Sequence, residues 1–174
     1  MTAAPDPVPD SPGAPAAPTR RPRLVWVTLG VALIVIIIDQ ITKAWAIASL
    51  RGQPPIEVVG QWLRLVYVEN TGAAFSLGTG FTIVFSVIAV VVAAVIIRTA
   101  RKLGSVGWAI ALGGLLGGAL GNLCDRVLRS PGELRGHVVD FIQFPHYPLF
   151  NVADSVVVCS AIAIAVLSMR NIEP

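Results

Sequence analysis

The fold is decided by residues 106–126, which read VGWAIALGGLLGGALGNLCDR. From Val106 to Cys124 this stretch carries no charged residue, and about 20 mostly apolar residues in a helix are enough to cross the hydrocarbon core of a bilayer. Glycines recur within it at a spacing that lets neighbouring helices approach closely; they stand at positions 113, 114, 117, 118 and 121. The stretch predicts a membrane-spanning helix that packs closely against other helices.

Three further stretches have the length and apolar character of a membrane span: Leu24 to about Ala46, Phe81 to Ile97, and Phe150 to Met169. Apolar residues make up 55% of the 174-residue chain and charged residues only 13%, about half the charged share usual in soluble proteins. The mean hydropathy of +0.75 agrees. The sequence predicts an all-α membrane protein, a four-transmembrane-helix bundle with helices at approximately 24–46, 81–97, 106–124 and 150–169.

The region before the first span, residues 1–22, is dominated by Pro, Ala, Ser and Thr. Such a segment has almost nothing apolar to bury, so it predicts a disordered arm, and residues 23–174 are expected to form the single membrane-embedded domain. The basic run Arg20, Arg21 and Arg23 followed by an apolar stretch is also typical of a signal peptide. That stretch is long and lacks a clear cleavage site, which favours a membrane span.

The orientation in the membrane is predicted from Lys and Arg, which favour cytoplasmic loops. The N-terminal arm, the short loop 98–102 and the tail with Arg170 would lie on one side, and all three are basic. The opposite loops also carry arginines, so the difference in number is modest. The short, purely basic loop favours both termini in the cytoplasm.

The segment between the first two spans contains two runs with high β propensity, Ile56 to Val59 and Trp62 to Val68. Gly60-Gln61 separates them, which indicates a small hairpin. Their alternation of apolar and polar residues is imperfect, so one face is expected to lie against the membrane surface or a substrate. An ordinary amphipathic loop is the alternative.

If consecutive spans cross the membrane in opposite directions, one end of the predicted bundle holds four aspartates: Asp39, Asp125, Asp140 and Asp154. Charge near hydrocarbon is costly, so these groups must point inward. Asp39 with Lys43, four positions apart, and Asp125 with Arg126 can be structural ion pairs. Neither Asp140 nor Asp154 has Lys or Arg within four positions, which favours a functional role for this pair.

Two carboxylates held close together cannot both ionise readily, so one keeps a proton. The ionised member can then take a proton from water while the other polarises a scissile carbonyl and later protonates the leaving amine, with no cofactor. Metal-ligand spacings are absent from the sequence, Cys124 and Cys159 stand apart, and a net charge of +3 with scattered cations gives no reason to expect nucleic acid.

Two other functions remain open at this point. Buried acids also mark proton-coupled transporters and channels, although the inner halves of these helices are nearly free of polar residues. A structural or assembly subunit could use the acids for helix packing alone. That interpretation leaves Asp140 and Asp154 unexplained.

Five blocks of this sequence resemble lipoprotein signal peptidase, the bacterial signal peptidase II family. They are DQITK at 39–43, NTGAAFS at 70–76, GGALGNLCDR at 117–126, VVDF at 138–141 and FNVADS at 150–155. The resemblance covers roughly residues 24–170. The long Pro-rich arm of this sequence is a departure from the family pattern, and the connection from Asp140 to Asp154 looks short.

The resemblance implies a membrane-embedded aspartyl endopeptidase that cuts diacylglyceryl-modified prolipoproteins just before the lipidated cysteine. It implies Asp140 and Asp154 as the catalytic dyad. Other residues are implied to bind substrate or orient the dyad: Asp39, Lys43, Asn70, Gly72, Ala74, Phe75, Asn122, Asp125, Arg126 and Asn151. It also implies a multi-pass protein of the cytoplasmic membrane, active near the outer face, inhibited by globomycin and in contact with membrane lipids; a monomer is expected.

Overall fold

The computed structural model describes residues 23–71 and 81–174, and it contains four long helices in these ranges. They are α1 (Leu24–Leu50), α2 (Phe81–Ala100), α3 (Val106–Leu128) and α4 (Val152–Met169). Each is long and apolar enough to cross a membrane. The predicted four-helix bundle is therefore confirmed, with α1, α2 and α3 extending three or four residues beyond the predicted ends. The predicted arm, residues 1–22, lies outside the described residues.

The central helix is α3, which packs against each of the other three helices. Its glycines make this possible on two sides. A Cβ at Gly117 would lie 2.7 Å from the carbonyl oxygen of Ala32 in α1, and one at Gly118 would lie 2.6 Å from the carbonyl oxygen of Ala153 in α4. Because no side chain fits in either place, the glycine spacing sets the close packing predicted from the sequence.

The helix α2 is held on one side only. It packs on α3 and more lightly on α1, and within the described ranges its backbone does not approach α4. In this part of the chain, α2 and α4 therefore both pack on α3 without packing on each other. Many large apolar side chains on the outside of the bundle, such as Leu33, Ile41 and Val95, are exposed, which suits a surface in contact with lipid rather than water.

A three-stranded antiparallel sheet lies at one end of the bundle, in the order β1 (Ile56–Val59), β2 (Leu63–Asn70) and β3 (Val138–Gln143). The predicted hairpin is confirmed by β1 and β2. The strand β3 was not predicted, and Asp140 lies within it rather than in an irregular connection. Its strand forms because it pairs with β2, placing Val68 opposite Asp140 and Asn70 opposite Val138.

The sheet packs against the last turns of α1. Val139 and Phe141 of β3 are buried together with Ala46 and Leu50 of α1. The ring of Phe141 also meets the ring of Trp45 edge to face, with centroids 6.3 Å apart. The strand that carries Asp140 is therefore fixed to the end of a membrane-spanning helix.

Candidate active site

Asp140 and Asp154 are joined by a single residue, Asn151. The Asn151 side-chain amide donates to Asp140 Oδ1 at 2.7 Å, and its backbone N–H donates to Asp154 Oδ2 at 3.2 Å. In return, Asn151 Oδ1 accepts the Asp154 backbone N–H at 3.0 Å. Asn151 is the N-cap of α4, and this reciprocal exchange is a capping box. The cap of the last helix thus brings the two carboxylates together.

The short connection between β3 and α4 allows this meeting because the chain turns back on itself. Phe150 and Ile142 exchange two backbone hydrogen bonds, at 2.9 and 3.1 Å. The rings of Phe144 and Tyr147, within the turn, pack on the ring of Phe150. Because Phe150 pairs with Ile142, the next residue along the chain, Asn151, lies beside Asp140.

The carboxyl of Asp140 is almost fully buried and accepts two amide hydrogen bonds. Asn70 Nδ2 donates to its Oδ2 at 2.8 Å, and Asn151 donates to the other oxygen. Burial raises the pKa of Asp140 from 3.8 to about 6, more than the two amide donors lower it, and the charge of Asp154 raises it further. Asp140 can therefore exchange a proton close to neutral pH.

The carboxyl of Asp154 is held by Asn122 of α3, whose Nδ2 donates to its Oδ1 at 2.7 Å. The orientation of Asn122 is set from its other side. Its Oδ1 accepts from Lys43 Nζ at 2.9 Å and from Asn151 Nδ2 at 3.1 Å. With two donors on that oxygen, the nitrogen of the Asn122 amide must face Asp154.

Lys43 belongs to a buried charge cluster next to the pair. Its ammonium lies 2.8 Å from Asp39 and 2.8 Å from Asp125, and all three side chains are completely buried. Asp125 also accepts from Arg129 Nε at 2.7 Å. Two carboxylates and two cations thus balance, as burial of charge requires.

The structure confirms one of the two predicted ion pairs and corrects the other. Asp39 pairs with Lys43 as predicted. Asp125 pairs with Lys43 and Arg129 instead of Arg126, because Arg129 stands one helical turn further along the same face. Arg126 instead lies over the ring of Phe85 in α2, with Cζ 5.6 Å from the centroid.

Two cavities flank the pair of aspartates. One of about 370 Å³ adjoins Asp140 and Asn70. The other, of about 440 Å³, adjoins Asp154 and is lined mainly by the aromatic turn that contains Phe144 and Phe150. There is room for a bound molecule on both sides of the carboxylates.

The family model described as "Signal peptidase (SPase) II" matches residues 31–170 of this chain. The chain belongs to the signal peptidase II family. The lipoprotein signal peptidase of Streptomyces coelicolor is 52% identical over 156 residues, covering 90% of this chain and 76% of that protein. The lipoprotein signal peptidase of Mycobacterium tuberculosis is 46% identical over 158 residues, with 91% and 76% covered.

The fold agrees with solved structures. A bacterial membrane enzyme determined by the in meso method at 2.3 Å is 28% identical and superposes with a TM-score of 0.73, covering 88% of this chain and 93% of the other. A second such enzyme, at 1.9 Å, is 29% identical with a TM-score of 0.71, covering 81% and 91%. This signal peptidase II family member is therefore a peptidase and a multi-pass membrane protein.

Two residues that contact the charge cluster of the candidate site, Gln40 and Arg129, were missed in the sequence. Gln40 Nε2 lies within hydrogen-bonding distance of Asp39, of Asp125 and of the Gly121 carbonyl oxygen, at 3.1–3.2 Å. Arg129 could have been found from its spacing to Asp125, whereas a neutral glutamine in a helix gives no such signal.

Of the remaining predicted site residues, Gly72, Ala74 and Phe75 lie outside the described residues. Asp39 has a second contact beyond Lys43, since its Oδ1 accepts the backbone N–H of Ala153 at 3.0 Å. This bond ties the start of α4 to α1. Among the residues described, no group of three His, Cys, Asp or Glu side chains could hold a metal ion.

Proposed function

We propose that this signal peptidase II family member is an aspartic endopeptidase that cleaves diacylglyceryl-modified prolipoproteins just before the lipidated cysteine. The observation that carries the proposal is the bridge through Asn151, which holds the carboxyls of Asp140 and Asp154 at one site. The substrate class follows from the relatives, which are named lipoprotein signal peptidases. Family membership gives no support to the transporter or structural-subunit alternatives.

The chemistry divides between the two carboxyls. The ionised member of the pair accepts a proton from a water molecule as that water attacks the scissile carbonyl carbon. The protonated member donates a hydrogen bond to the carbonyl oxygen and then gives its proton to the leaving amine. The pKa of about 6 at Asp140 supports this division, because a shared proton can then be kept and released near neutral pH.

The surrounding amides serve to position the dyad. Asn70 and Asn151 hold the two oxygens of Asp140, while Asn122 holds one oxygen of Asp154. The charge cluster of Asp39, Lys43 and Asp125 fixes Asn122 from behind. Because these donors are already in place before the reaction, both carboxyls are directed at one reacting centre and no free energy is needed to reorganise them during the reaction.

The separation of α2 from α4 supports entry of the substrate from the lipid. A signal peptide is itself an apolar helix, and α2 and α4 both pack on α3 without packing on each other. On the dyad side of the bundle, α2 contributes Phe85 beneath Arg126, and α4 contributes Asp154. The guanidinium of Arg126 has one buried nitrogen, Nη1, with no hydrogen-bond partner within the described ranges.

The basic loop with Arg98, Arg101 and Lys102 supports the orientation. It lies at the end of the bundle opposite the dyad, because α2 ends and α3 begins there. By the positive-inside rule both termini lie in the cytoplasm and the dyad lies near the outer face of the cytoplasmic membrane.

The proposal is tested with the purified full-length protein in lipid nanodiscs, with a chelator present. We expect a diacylglyceryl-modified prolipoprotein to be cut just before its modified cysteine, as seen by gel shift and mass spectrometry, and globomycin to block the cut. The unmodified prolipoprotein is the matched control and is expected to remain intact. Equal cleavage of both would contradict the substrate class, and a requirement for added metal would contradict the aspartic mechanism.

A further inference from the structure

We propose that the hairpin tip, residues 56–62, binds the membrane–water interface on the dyad side of the bilayer. The tip holds the whole of β1 and the turn up to Trp62. All of its residues are exposed, and most of its large side chains are apolar. This proposal concerns lipid contact, and only its consequence for the alignment of the substrate rests on the proposed function.

The level of the interface follows from two tryptophans of α1. Trp26 and Trp45 are both exposed on the outside of the helix. At a helical rise of about 1.5 Å per residue, the segment from Trp26 to Trp45 is about 29 Å long, close to the ~30 Å hydrocarbon core. Tryptophan is enriched at both boundaries of that core. Trp45 therefore marks the boundary at the dyad end.

The sheet lies at this boundary. Trp45 contacts Phe141 of β3, and Leu65 of β2 packs with Ala46 and Leu50 of α1. Ile56 of β1 stands opposite Leu65 in the sheet. Because Leu65 packs on the end of α1 and Ile56 pairs with Leu65, the edge strand β1 lies at about the same depth in the membrane as the end of α1.

The exposed side chains of the tip suit lipid rather than water. The exposed fractions are 52% for Val58, 58% for Val59 and 73% for Trp62, and Glu57 is the one charged residue of the tip. An edge strand in water is normally protected by charges, Pro or a covering segment. An amphipathic indole with apolar neighbours instead matches the headgroup region. Because the patch lies at the level of Trp45, lipid is the partner nearest to it.

This contact has a consequence for the dyad. The strands β1, β2 and β3 form one hydrogen-bonded sheet, and β3 carries Asp140. A tip held in the interface therefore fixes the depth of Asp140 relative to the bilayer. A substrate cysteine carrying a diacylglyceryl group is anchored at a comparable depth, so the contact helps to align the two.

The depth of Trp62 can be measured by fluorescence quenching in phosphatidylglycerol–phosphatidylethanolamine vesicles. Part of the lipid carries bromine, either near the headgroup or near the end of the acyl chain. The emission of Trp62 is the difference between the full-length protein and its Trp62→Phe variant. We expect bromine near the headgroup to remove most of this emission and bromine at the chain end to remove much less. Trp26→Phe gives the emission of Trp26 in the same way and is the reference for an interfacial tryptophan, because Trp26 has the same 73% exposure and lies at the opposite boundary of the hydrocarbon core.

A second variant tests the tip without removing the reporter. Val59→Glu places a charge beside Val58 and is expected to weaken headgroup-level quenching of Trp62 and shift its emission to longer wavelength, while Trp26 is unchanged. Quenching of Trp62 by aqueous iodide instead of bromolipid would overturn the proposal. Protection from both quenchers would also overturn it, since the tip would then be covered by protein, either a second copy or a polypeptide partner.

Discussion

The Lys43 ammonium donates a hydrogen bond to the side-chain oxygen of Asn122 at 2.9 Å, and this bond connects the buried charge cluster to the dyad. Together with the Asn151 side-chain amide, which donates to the same oxygen at 3.1 Å, this bond keeps the nitrogen of the Asn122 amide facing Asp154. The charge cluster thus reaches the dyad through the neutral side chain of Asn122. It also holds the backbone beside each aspartate, since Asp39 accepts the N–H of Ala153 and Asp125 accepts the N–H of Val139.

Asn122→Ala is therefore expected to lower kcat by about 10- to 100-fold, with a smaller change in KM. Loss of the donor leaves an oxygen of the half-buried Asp154 carboxyl without its Asn122 hydrogen bond, at a cost of about 1–3 kcal/mol. Steady-state cleavage of a lipidated substrate measures the effect. Gln53→Ala, which changes an exposed amide in the loop after α1, is the control. An Asn122→Ala enzyme that loses only affinity would show that Asn122 binds substrate rather than positioning Asp154.

Lys43→Met should destabilise the fold strongly, by about 3–5 kcal/mol, because two buried carboxylates, Asp39 and Asp125, lose their shared cation. Thermal unfolding in detergent provides the measurement. Lys102→Met, in the exposed loop between α2 and α3, is expected to unfold at the wild-type temperature. The same unfolding temperature in both variants would mean that the cluster does not stabilise the bundle.

Gly121→Ala is expected to reduce both stability and activity. The added Cβ would lie 2.7 Å from Asp39 Oδ2, so the charge cluster must shift, and overpacking of this kind costs about 1–3 kcal/mol. Gly30→Ala is a matched control on α1, because a Cβ there meets nothing within 4 Å. Unfolding temperatures and cleavage rates of the two variants should diverge, and equal behaviour would contradict the close approach of α3 to α1.

The raised pKa of Asp140 predicts a pH dependence of stability. The folded protein keeps this proton up to about pH 6, whereas the unfolded chain releases it near 3.8. Between those values the folded state binds more protons, so the contribution of Asp140 is complete below the unfolded pKa and is lost as the pH rises through about 6. The loss amounts to ~3 kcal/mol.

The measurement compares unfolding of the wild type and Asp140→Asn across this pH range. Because the carboxyls remote from the dyad titrate alike in both proteins, the difference between them reports on Asp140 together with its coupling to Asp154. The stability of the wild type relative to the variant is expected to fall with increasing pH. A constant difference would mean that burial does not raise the pKa of Asp140.

Hydropathy was enough to predict the four helices, because each span must be apolar along its whole length. Helix ends were less certain, since Asp125 and Arg126 are charged yet lie within α3, which ends at Leu128. Asp125 is neutralised by Arg129, the residue that follows the helix. The strand β3 was missed because its pairing with β2 joins distant parts of the chain. Only that pairing makes a strand of a short apolar run that contains Asp140.

Part of the candidate site was predictable because a charged side chain near the hydrocarbon core is costly and is therefore expected to be paired or functional. That argument identified Asp140 and Asp154 and the pair formed by Asp39 and Lys43. It could not identify how the dyad is joined, because the role of Asn151 depends on the turn that returns Phe150 to Ile142. Arg126 was assigned to Asp125 by adjacency, although neighbours in a helix point in different directions.

The most direct test of the dyad is the single-turnover cleavage rate of Asp140→Asn, Asp154→Asn and the double variant, each confirmed to be folded by its unfolding transition. If the two carboxyls act as one unit, each single variant loses about 10²- to 10⁴-fold, and the double variant is scarcely slower than either. Glu57→Gln, on the exposed edge strand, should cleave at the wild-type rate. Wild-type cleavage by either aspartate variant would contradict the account.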